Sequence, residues 1–533
     1  MEAEASQTNV REVTGDTVST PPEEKKKPRP NALELKERIQ QLQTEAVEQL
    51  EQKLQQLVEE ALRAAEAPAT PPSPSHHLLY DDAKYRNRTH QPSSGALPEK
   101  QFLARESLLT DLMKIKHFHT VYNIFVAMLL ILFLHTAVYD LVADGQLKLG
   151  FSTIFWNFDG LHIVMATWVS MQLAVFALFI AFCHWASFRV SLSISGHQRK
   201  LLDNSALILL IAYKIGFLVL PVCVIQYNQL PPISAMIILC EQVRMIMKSY
   251  AFLRSKVPKV KMFKPHTEAT DVLLPDFNHF VYFMFVPTLV YRDSYPRTKE
   301  IRWKVVVWHL TEVFGVIFFI SFVFERSLVP MFRNFGKQQL SPKAMVVAIF
   351  GSMVPSITVF LCGFYCILHA WMNAFAEITR FADRMFYKDW WNANSYAAYY
   401  RNWNVVIHDW LYTYVYKDLS ELLGAKRRTL PILAVFFLSA IVHEYMLTFI
   451  VGFCYPMLFM AFGVFSVGLV FVTHDRLPGG NLLMWLLVTT GTGLLTSLYM
   501  MEWFARRHCP RFIDSTWDFF VPRSWFCSPL TSE

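Results

Sequence analysis

Apolar and polar positions follow two different rhythms along this chain. Between residues 101 and 503, long apolar runs are separated by short polar loops. Nine runs are long enough to cross a bilayer, near 118–139, 161–184, 205–227, 233–252, 305–328, 344–370, 430–452, 455–472 and 481–503. Each predicts a membrane-spanning helix. A shorter run, 277–291, follows Pro275 and predicts a re-entrant or interfacial helix.

Upstream the rhythm is that of a water-exposed helix. Residues 1–30 are polar and Pro-containing, the pattern of a disordered segment. Asn31 and Glu34 form a capping-box-like pair that opens a helix over 31–67, and Pro68 ends it. Leu35, Ile39, Leu42, Ala46, Leu50, Leu54, Leu57 and Ala61 make one apolar stripe on this helix. Most of its other positions are Glu, Gln, Lys or Arg. Alone in water the stripe would be uncovered, so it predicts an oligomerisation helix or one packed on its own membrane domain. Residues 68–100 read as a Pro/Ser/His-rich linker and 504–533 as a polar tail.

Composition sharpens this picture. The 533 residues are 53% hydrophobic, 15% aromatic and only 17% charged, the profile of an all-α polytopic membrane protein. The net charge of +7 is modest, and the basic residues gather in short loops, which argues for topology signals and against nucleic-acid binding. No Gly-rich phosphate loop or dinucleotide fingerprint occurs. The first apolar run begins near His119 behind a polar stretch, so no cleavable signal peptide is expected.

Loop charges orient the spans. Lys114 and Lys116, then Arg189, Arg199 and Lys200, then Arg254, Lys256, Lys259, Lys261 and Lys264 lie in alternate loops and place those loops in the cytosol. Nine spans then leave the N-terminus cytosolic and the tail lumenal. Arg506 and Arg507 in the tail run against that rule. The sequon Asn87-Arg88-Thr89 would be cytosolic and silent. Six of the eight cysteines sit in or beside apolar runs, whereas Cys509 and Cys527 bracket the tail and could be bridged in an oxidising lumen.

Two regions carry candidate chemistry. His443, followed by Glu444, lies near the middle of the run 431–453. An ionisable group there is costly unless it faces a polar cavity or has partners, so it marks a functional site or an interhelical hydrogen bond. Between the sixth and seventh spans, 371–429 interleaves many Trp and Tyr residues with Asp383, Arg384, Lys388, Asp389, Asn392, Arg401, Asn404, His408 and Asp409. That is more charge than an interfacial anchor needs. Asn404 and His408 are i, i+4, so a helix would put them on one face, suited to an amphipathic substrate with an anionic head.

Phe386-Tyr387-Lys388-Asp389-Trp390-Trp391-Asn392 resembles the FYxDWWN motif of the membrane-bound O-acyltransferases that esterify sterols and diacylglycerol. Val442-His443-Glu444-Tyr445 resembles the membrane histidine of that superfamily. The strings YRDSYPR at 291–297, WNVVIHDWLY at 403–412, EWFARRHCP at 502–510 and PRSW at 522–525 are similar to the sterol O-acyltransferases. The resemblance spans about residues 100–527. It implies an endoplasmic-reticulum membrane enzyme that moves a long-chain acyl group from coenzyme A to cholesterol. Acyl-CoA is then a substrate, with no further cofactor and no metal.

By the same resemblance His443 is the general base and Asn404 the oxyanion donor, while Arg401, Asn404, His408, Tyr416 and Ser439 contact acyl-CoA. His117 matches a sterol-binding region. The N-terminal helix fits a homo-oligomer, dimer or tetramer. Ala397 and Ala398 stand where polar residues are common in the family, one of them an acyl-CoA contact, and Arg428 replaces a Lys. The rival readings are a diacylglycerol or wax-alcohol acyltransferase, and a transporter or sterol-sensing scaffold.

Overall fold

The computed structural model describes residues 97–145, 151–191, 196–263, 275–337, 342–424, 429–511 and 515–526. The expected disordered N-terminus, the helix over 31–67, most of the 68–100 linker, Arg428 and Cys527 lie outside the described residues. The described fold is all-α, with isolated bridges at Arg105–Asp383 and Arg297–Phe381 in place of strands.

The long helices are α1 (Lys116–Asp144), α2 (Leu161–Ser191), α3 (Gly196–Tyr227), α4 (Pro232–Met262), α6 (Trp303–Val323), α7 (Pro342–Phe364), α10 (Thr429–Val451) and α12 (Gly480–His508). Between them lie the shorter α5 (Phe277–Phe285), α8 (Tyr396–Trp403), α9 (Val405–Leu411) and α11 (Ser466–Val472). Seven of the nine expected spans are helices long and apolar enough to cross a membrane. The other two form as helices but fall short of that measure. α4 carries Glu241, Arg244 and Lys248 within its run, and the apolar helix Met457–Val472 is short.

The charges of α4 are satisfied inside the protein. Arg244 Nε donates to Glu241 at 2.7 Å, and the indole N–H of Trp168 donates to the same carboxylate at 2.7 Å. Lys248 is fully buried, and its ammonium donates to the carbonyls of Phe283, Met284 and Val286 at 2.6, 3.1 and 2.6 Å. Arg244 also donates to the Met284 carbonyl. These carbonyls belong to the end of α5, where a helix has no acceptor partners of its own and its dipole favours a cation. The short run after Pro275 is thus a helix with one face in the core, at Phe280, Phe283 and Met284, and with Phe277 and Phe285 exposed, and cations from α4 take the carbonyls at its end.

Close approach decides the pairing of α7 with α12. Ser352 Oγ lies 2.7 Å from Ser497 Oγ. A Cβ at Gly493 would fall 2.8 Å from the Met353 Cα, so only glycine fits there. Gly493 and Ser497 form a small-xxx-small step, the sequence device that brings membrane helices together.

The end of α12 and the tail fold onto each other through Glu502. Its carboxylate accepts from Arg506 Nε at 2.7 Å and from the backbone N–H groups of Arg523 and Ser524 at 3.0 and 2.9 Å. Arg523 in turn chelates Asp518, and that hydrogen bond holds the Asp518 carboxyl below its ordinary value.

Replacing Lys248 by Met should strand buried carbonyls at the end of α5, at about 1–3 kcal/mol for each group left unpaired. Thermal unfolding of the detergent-purified protein should therefore shift to lower temperature. An unchanged unfolding temperature would show that α5 does not depend on this cap.

Candidate active site

The site is assembled by the polar aromatic stretch between α7 and α10. Its FYxDWWN segment is a set of anchors. Phe386, Tyr387 and Trp390 are almost completely buried, while Asp389 and Asn392 are exposed. Trp390 meets the rings of Trp403 at 4.6 Å, Phe364 at 5.1 Å and Trp485 at 5.5 Å. The Trp391 carbonyl accepts from Asn481 Nδ2 at 2.8 Å and from the Trp485 indole at 3.1 Å. Tyr387 Oη lies 2.7 Å from His369 Nδ1, and Ser107 and Asn373 complete that buried polar group. Arg105 meets Asp383 at 2.6 Å, which ties the start of the membrane domain beside the motif.

The anchored segment sets the position of Asn404. The Lys388 N–H donates to the Asn402 carbonyl at 2.8 Å, and the Val405 N–H donates to the Phe386 carbonyl at 2.9 Å. Between these two bonds the chain leaves α8 and enters α9, with Asn404 at φ −140° and ψ 91°. Its Oδ1 accepts from the Ile407 N–H at 3.1 Å, so Asn404 is the N-cap of α9. The oxygen is therefore engaged and the amide N–H₂ is the end left to donate. His408 lies one turn on, as the i, i+4 spacing predicts, with its N–H bonded to the Asn404 carbonyl at 3.0 Å. The His408 ring stacks on Tyr412, centroids 6.3 Å apart, and Tyr412 stacks on Tyr416 at 5.6 Å. Arg401 is exposed at the end of α8.

His443 projects from α10, a helix packed against α4, the turn Tyr412–Tyr416 and the turn Met460–Phe465. His443 Nδ1 lies 2.7 Å from the Ser439 backbone carbonyl. A carbonyl only accepts, so Nδ1 carries the proton and Nε2 keeps its lone pair. The Ser439 hydroxyl stands on the same helix face, 3.4 Å from Nδ1. The imidazole lies flat on Phe462, with ring centroids 5.1 Å apart and planes 12° from parallel. Tyr400 of α8 touches the same Phe462 at 6.0 Å and donates to Ser466 Oγ at 2.6 Å. Phe462 thus joins the aromatic stretch to the histidine.

The two residues after His443 fix the helix from other sides. Glu444 accepts from the Phe459 N–H at 2.9 Å. The Tyr445 hydroxyl lies 2.9 Å from Gln242 Oε1 and 3.1 Å from the Leu218 carbonyl. Gln242, fully buried, donates through Nε2 to the carbonyls of Phe217 and Leu218 at 2.9 and 2.8 Å. Pro221 inside α3 explains the opening, because it has no N–H to offer the carbonyl four residues back, that of Phe217.

His443 is left exposed by the rest of the protein. The Ser439 carbonyl and the Phe462 ring are its contacts. His117 is exposed in the first turn of α1, and no contact among the described residues joins it to the His443 group. Sequence reasoning passed over His369, which is buried in the turn Tyr365–Trp371. The signal was available, since His369 is an ionisable residue inside the sixth apolar run, as His443 is inside the seventh. Phe462 and Tyr400 carried no comparable signal among so many aromatics. Among the described residues no three His, Cys, Asp or Glu side chains converge to hold a metal ion.

Residues 161–501 match the model of the membrane-bound O-acyltransferase family. Sterol O-acyltransferase 2 of Mus musculus is 41% identical over 81% of this chain and 81% of its own length. Sterol O-acyltransferase 2 of Homo sapiens is 40% identical over 83% and 82%. Sterol O-acyltransferase 1 of Chlorocebus aethiops is 41% identical over 80% and 78%. With an all-α membrane fold, the motif at 386–392 and a histidine inside an apolar helix, the chain belongs to the membrane-bound O-acyltransferase family of acyltransferases.

Proposed function

We propose that this protein transfers a long-chain acyl group from coenzyme A to the hydroxyl of a sterol, cholesterol in the first instance. One observation carries the reading more than any other, the 2.7 Å contact between His443 Nδ1 and the Ser439 carbonyl. In the neutral ring a proton on Nδ1 satisfies that carbonyl and leaves Nε2 as the basic nitrogen. A sterol hydroxyl has a pKa far above neutral and needs a base to take its proton as it attacks.

In the proposed reaction Nε2 accepts the hydroxyl proton while the oxygen attacks the thioester carbonyl. The Asn404 amide N–H₂ donates to the oxyanion that develops. Collapse breaks the carbon–sulfur bond, and the imidazolium returns its proton to the departing coenzyme A sulfur. Both substrates are largely apolar, which suits a centre inside the bilayer. Arg401, His408, Tyr416 and Ser439 are the proposed acyl-CoA contacts; the ladder His408–Tyr412–Tyr416 offers flat rings, and Arg401 offers a cation. His117 is the proposed sterol contact. Diacylglycerol is the competing acceptor, and assays with each alcohol separate the two.

The proposed setting is the endoplasmic-reticulum membrane, with the N-terminus cytosolic and the tail lumenal. This reading counts the seven apolar helices, α4 and the helix Met457–Val472 as nine crossings, and an odd number of crossings would separate the two ends. Residues 31–67 are proposed to hold subunits together as a dimer or tetramer. A Cys509–Cys527 disulfide is proposed for the tail, since the other six cysteines are free thiols.

His443→Ala should lower acyl transfer to cholesterol by about 10²–10⁴ with unchanged gel-filtration behaviour. Turnover at the wild-type rate would remove His443 from the role of base. Asn404 separates its two duties by substitution. Asn404→Asp keeps an oxygen to cap α9 but gives up the amide donor, so it should fold normally and lose about 10²–10³ in kcat. Asn404→Ala should in addition lose about 1 kcal/mol of stability with the cap. If the Asp variant turns over normally, Asn404 is a structural cap alone. Non-reducing peptide mapping of protein from a eukaryotic membrane should recover Cys509 and Cys527 in one linked pair, and free thiols at both positions would refute the bond and weaken the case for a lumenal tail.

A further inference from the structure

α3 and α4 form a groove lined without any of the candidate site residues. Ile211, Ile215 and Leu218 of α3 make one wall, Leu253 and Val257 of α4 the other, and Lys214 stands between them. Its volume is about 520 Å³. The three α3 residues are 51%, 58% and 41% exposed, so the groove opens on the side where lipid would lie.

Lys214 is the feature that an apolar groove does not explain. Its ammonium donates to Ser249 Oγ at 2.5 Å and to the Ile246 carbonyl at 3.4 Å. Both acceptors are neutral, and a lysine ammonium has three N–H donors. No carboxylate among the described residues forms an ion pair with it. Arg254, at the same groove, shows the contrast, since its guanidinium is chelated by Asp418 with two bonds of 2.9 Å. A charge between apolar helices is costly without an anionic partner. The groove therefore has an apolar body and one cation whose partners, Ser249, the Ile246 carbonyl and the Tyr213 ring 6.0 Å away, carry no negative charge.

The level of the cation identifies the kind of anion. Tyr250 lines the groove and is 40% exposed, as an aromatic at a membrane interface is. Ser249, which receives the lysine, precedes it directly, and Arg254 follows about 7 Å further along the helix axis at 1.5 Å per residue. Beyond Arg254 the end of α4 carries Lys256, Lys259 and Lys261. A headgroup at the interface is thus within reach of the lysine, and basic pockets between membrane helices bind anionic headgroups.

We propose that this groove binds one anionic phospholipid of the surrounding bilayer, its phosphate on the Lys214 ammonium and an acyl chain along Ile211, Ile215 and Leu218. The site shares a wall with the helix that carries His443, because the Leu218 carbonyl lies 3.1 Å from the Tyr445 hydroxyl.

The test uses the full-length protein in phosphatidylcholine nanodiscs doped with phosphatidylserine. After transfer to detergent, bound lipid is counted per chain by native mass spectrometry. Wild type should retain one phosphatidylserine per chain. Lys214→Met should lower its retention about tenfold, the loss of one charge-assisted hydrogen bond, and Lys214→Arg should restore it. Ile215→Trp fills the groove with the cation intact and should also expel the lipid, which guards against a folding defect in the Met variant. Equal retention by wild type, Lys214→Met and Ile215→Trp would overturn the proposal and leave Lys214 as an interhelical hydrogen bond. Parallel nanodiscs doped with oleic acid distinguish the anion. Retention of oleate without phosphatidylserine would overturn the phospholipid and assign a carboxylate.

Discussion

Polar groups placed among apolar helices must find their partners within the protein, and this constraint organises the fold. Water is absent from the hydrocarbon region, so an unpaired carbonyl or ammonium there costs several kcal/mol. Lys248 ends α5 by taking three of its carbonyls. Gln242 takes the carbonyl that Pro221 leaves without a donor, and Tyr445 joins the same group. His443 satisfies its Nδ1–H on its own helix. Each bond is local in cause but sets how one helix sits against the next. Helix α10 is held in this way on two sides, at Glu444 and at Tyr445, and His443 between them is exposed.

Much of this was legible in the chain. Run length alone predicts the helices, because a bilayer demands about 20 apolar residues at 1.5 Å each. The motif at 386–392 was legible as a landmark, but its work was not. Phe386, Tyr387 and Trp390 read as aromatics of a functional loop, whereas the structure uses them as buried anchors that deliver Asn404 to the start of α9. Asn404 read as a donor, and its second duty as a cap follows from a break between two short helices that periodicity does not mark. The partners of the α4 charges were not legible for a related reason. They include the carbonyls of α5, which carry no residue identity and so leave no trace in the sequence. The exposure of His443 was illegible too, because it depends on which neighbours cover the ring rather than on the helix that bears it.

The tail shows two motifs explaining each other. Glu502 and Arg506 lie in one string, Arg523 and Ser524 in another, and neither has an evident purpose alone. Folded together, the buried Glu502 carboxylate receives two backbone N–H groups from the second string and the guanidinium of its own helix. This closes the end of α12 over polar groups that would otherwise face one another unpaired.

Four helical segments in the described residues are wound with the wider i, i+5 pattern, at Phe324–Leu328, Tyr365–Trp371, Tyr412–Tyr416 and Met460–Phe465. Three of them hold rings of the site, His369, Tyr412 with Tyr416, and Phe462. A segment of this kind contains one residue more than the ordinary helix that would replace it. Deleting a single residue from Met460–Phe465 would let the turn relax to the common winding with Ser466 and the helix beyond it still in register, whereas the same deletion in an ordinary turn would rotate everything after it by about 100°. The wide turn is in this sense one spare residue of chain, and what its loss would disturb is the placement of Phe462 on the turn itself.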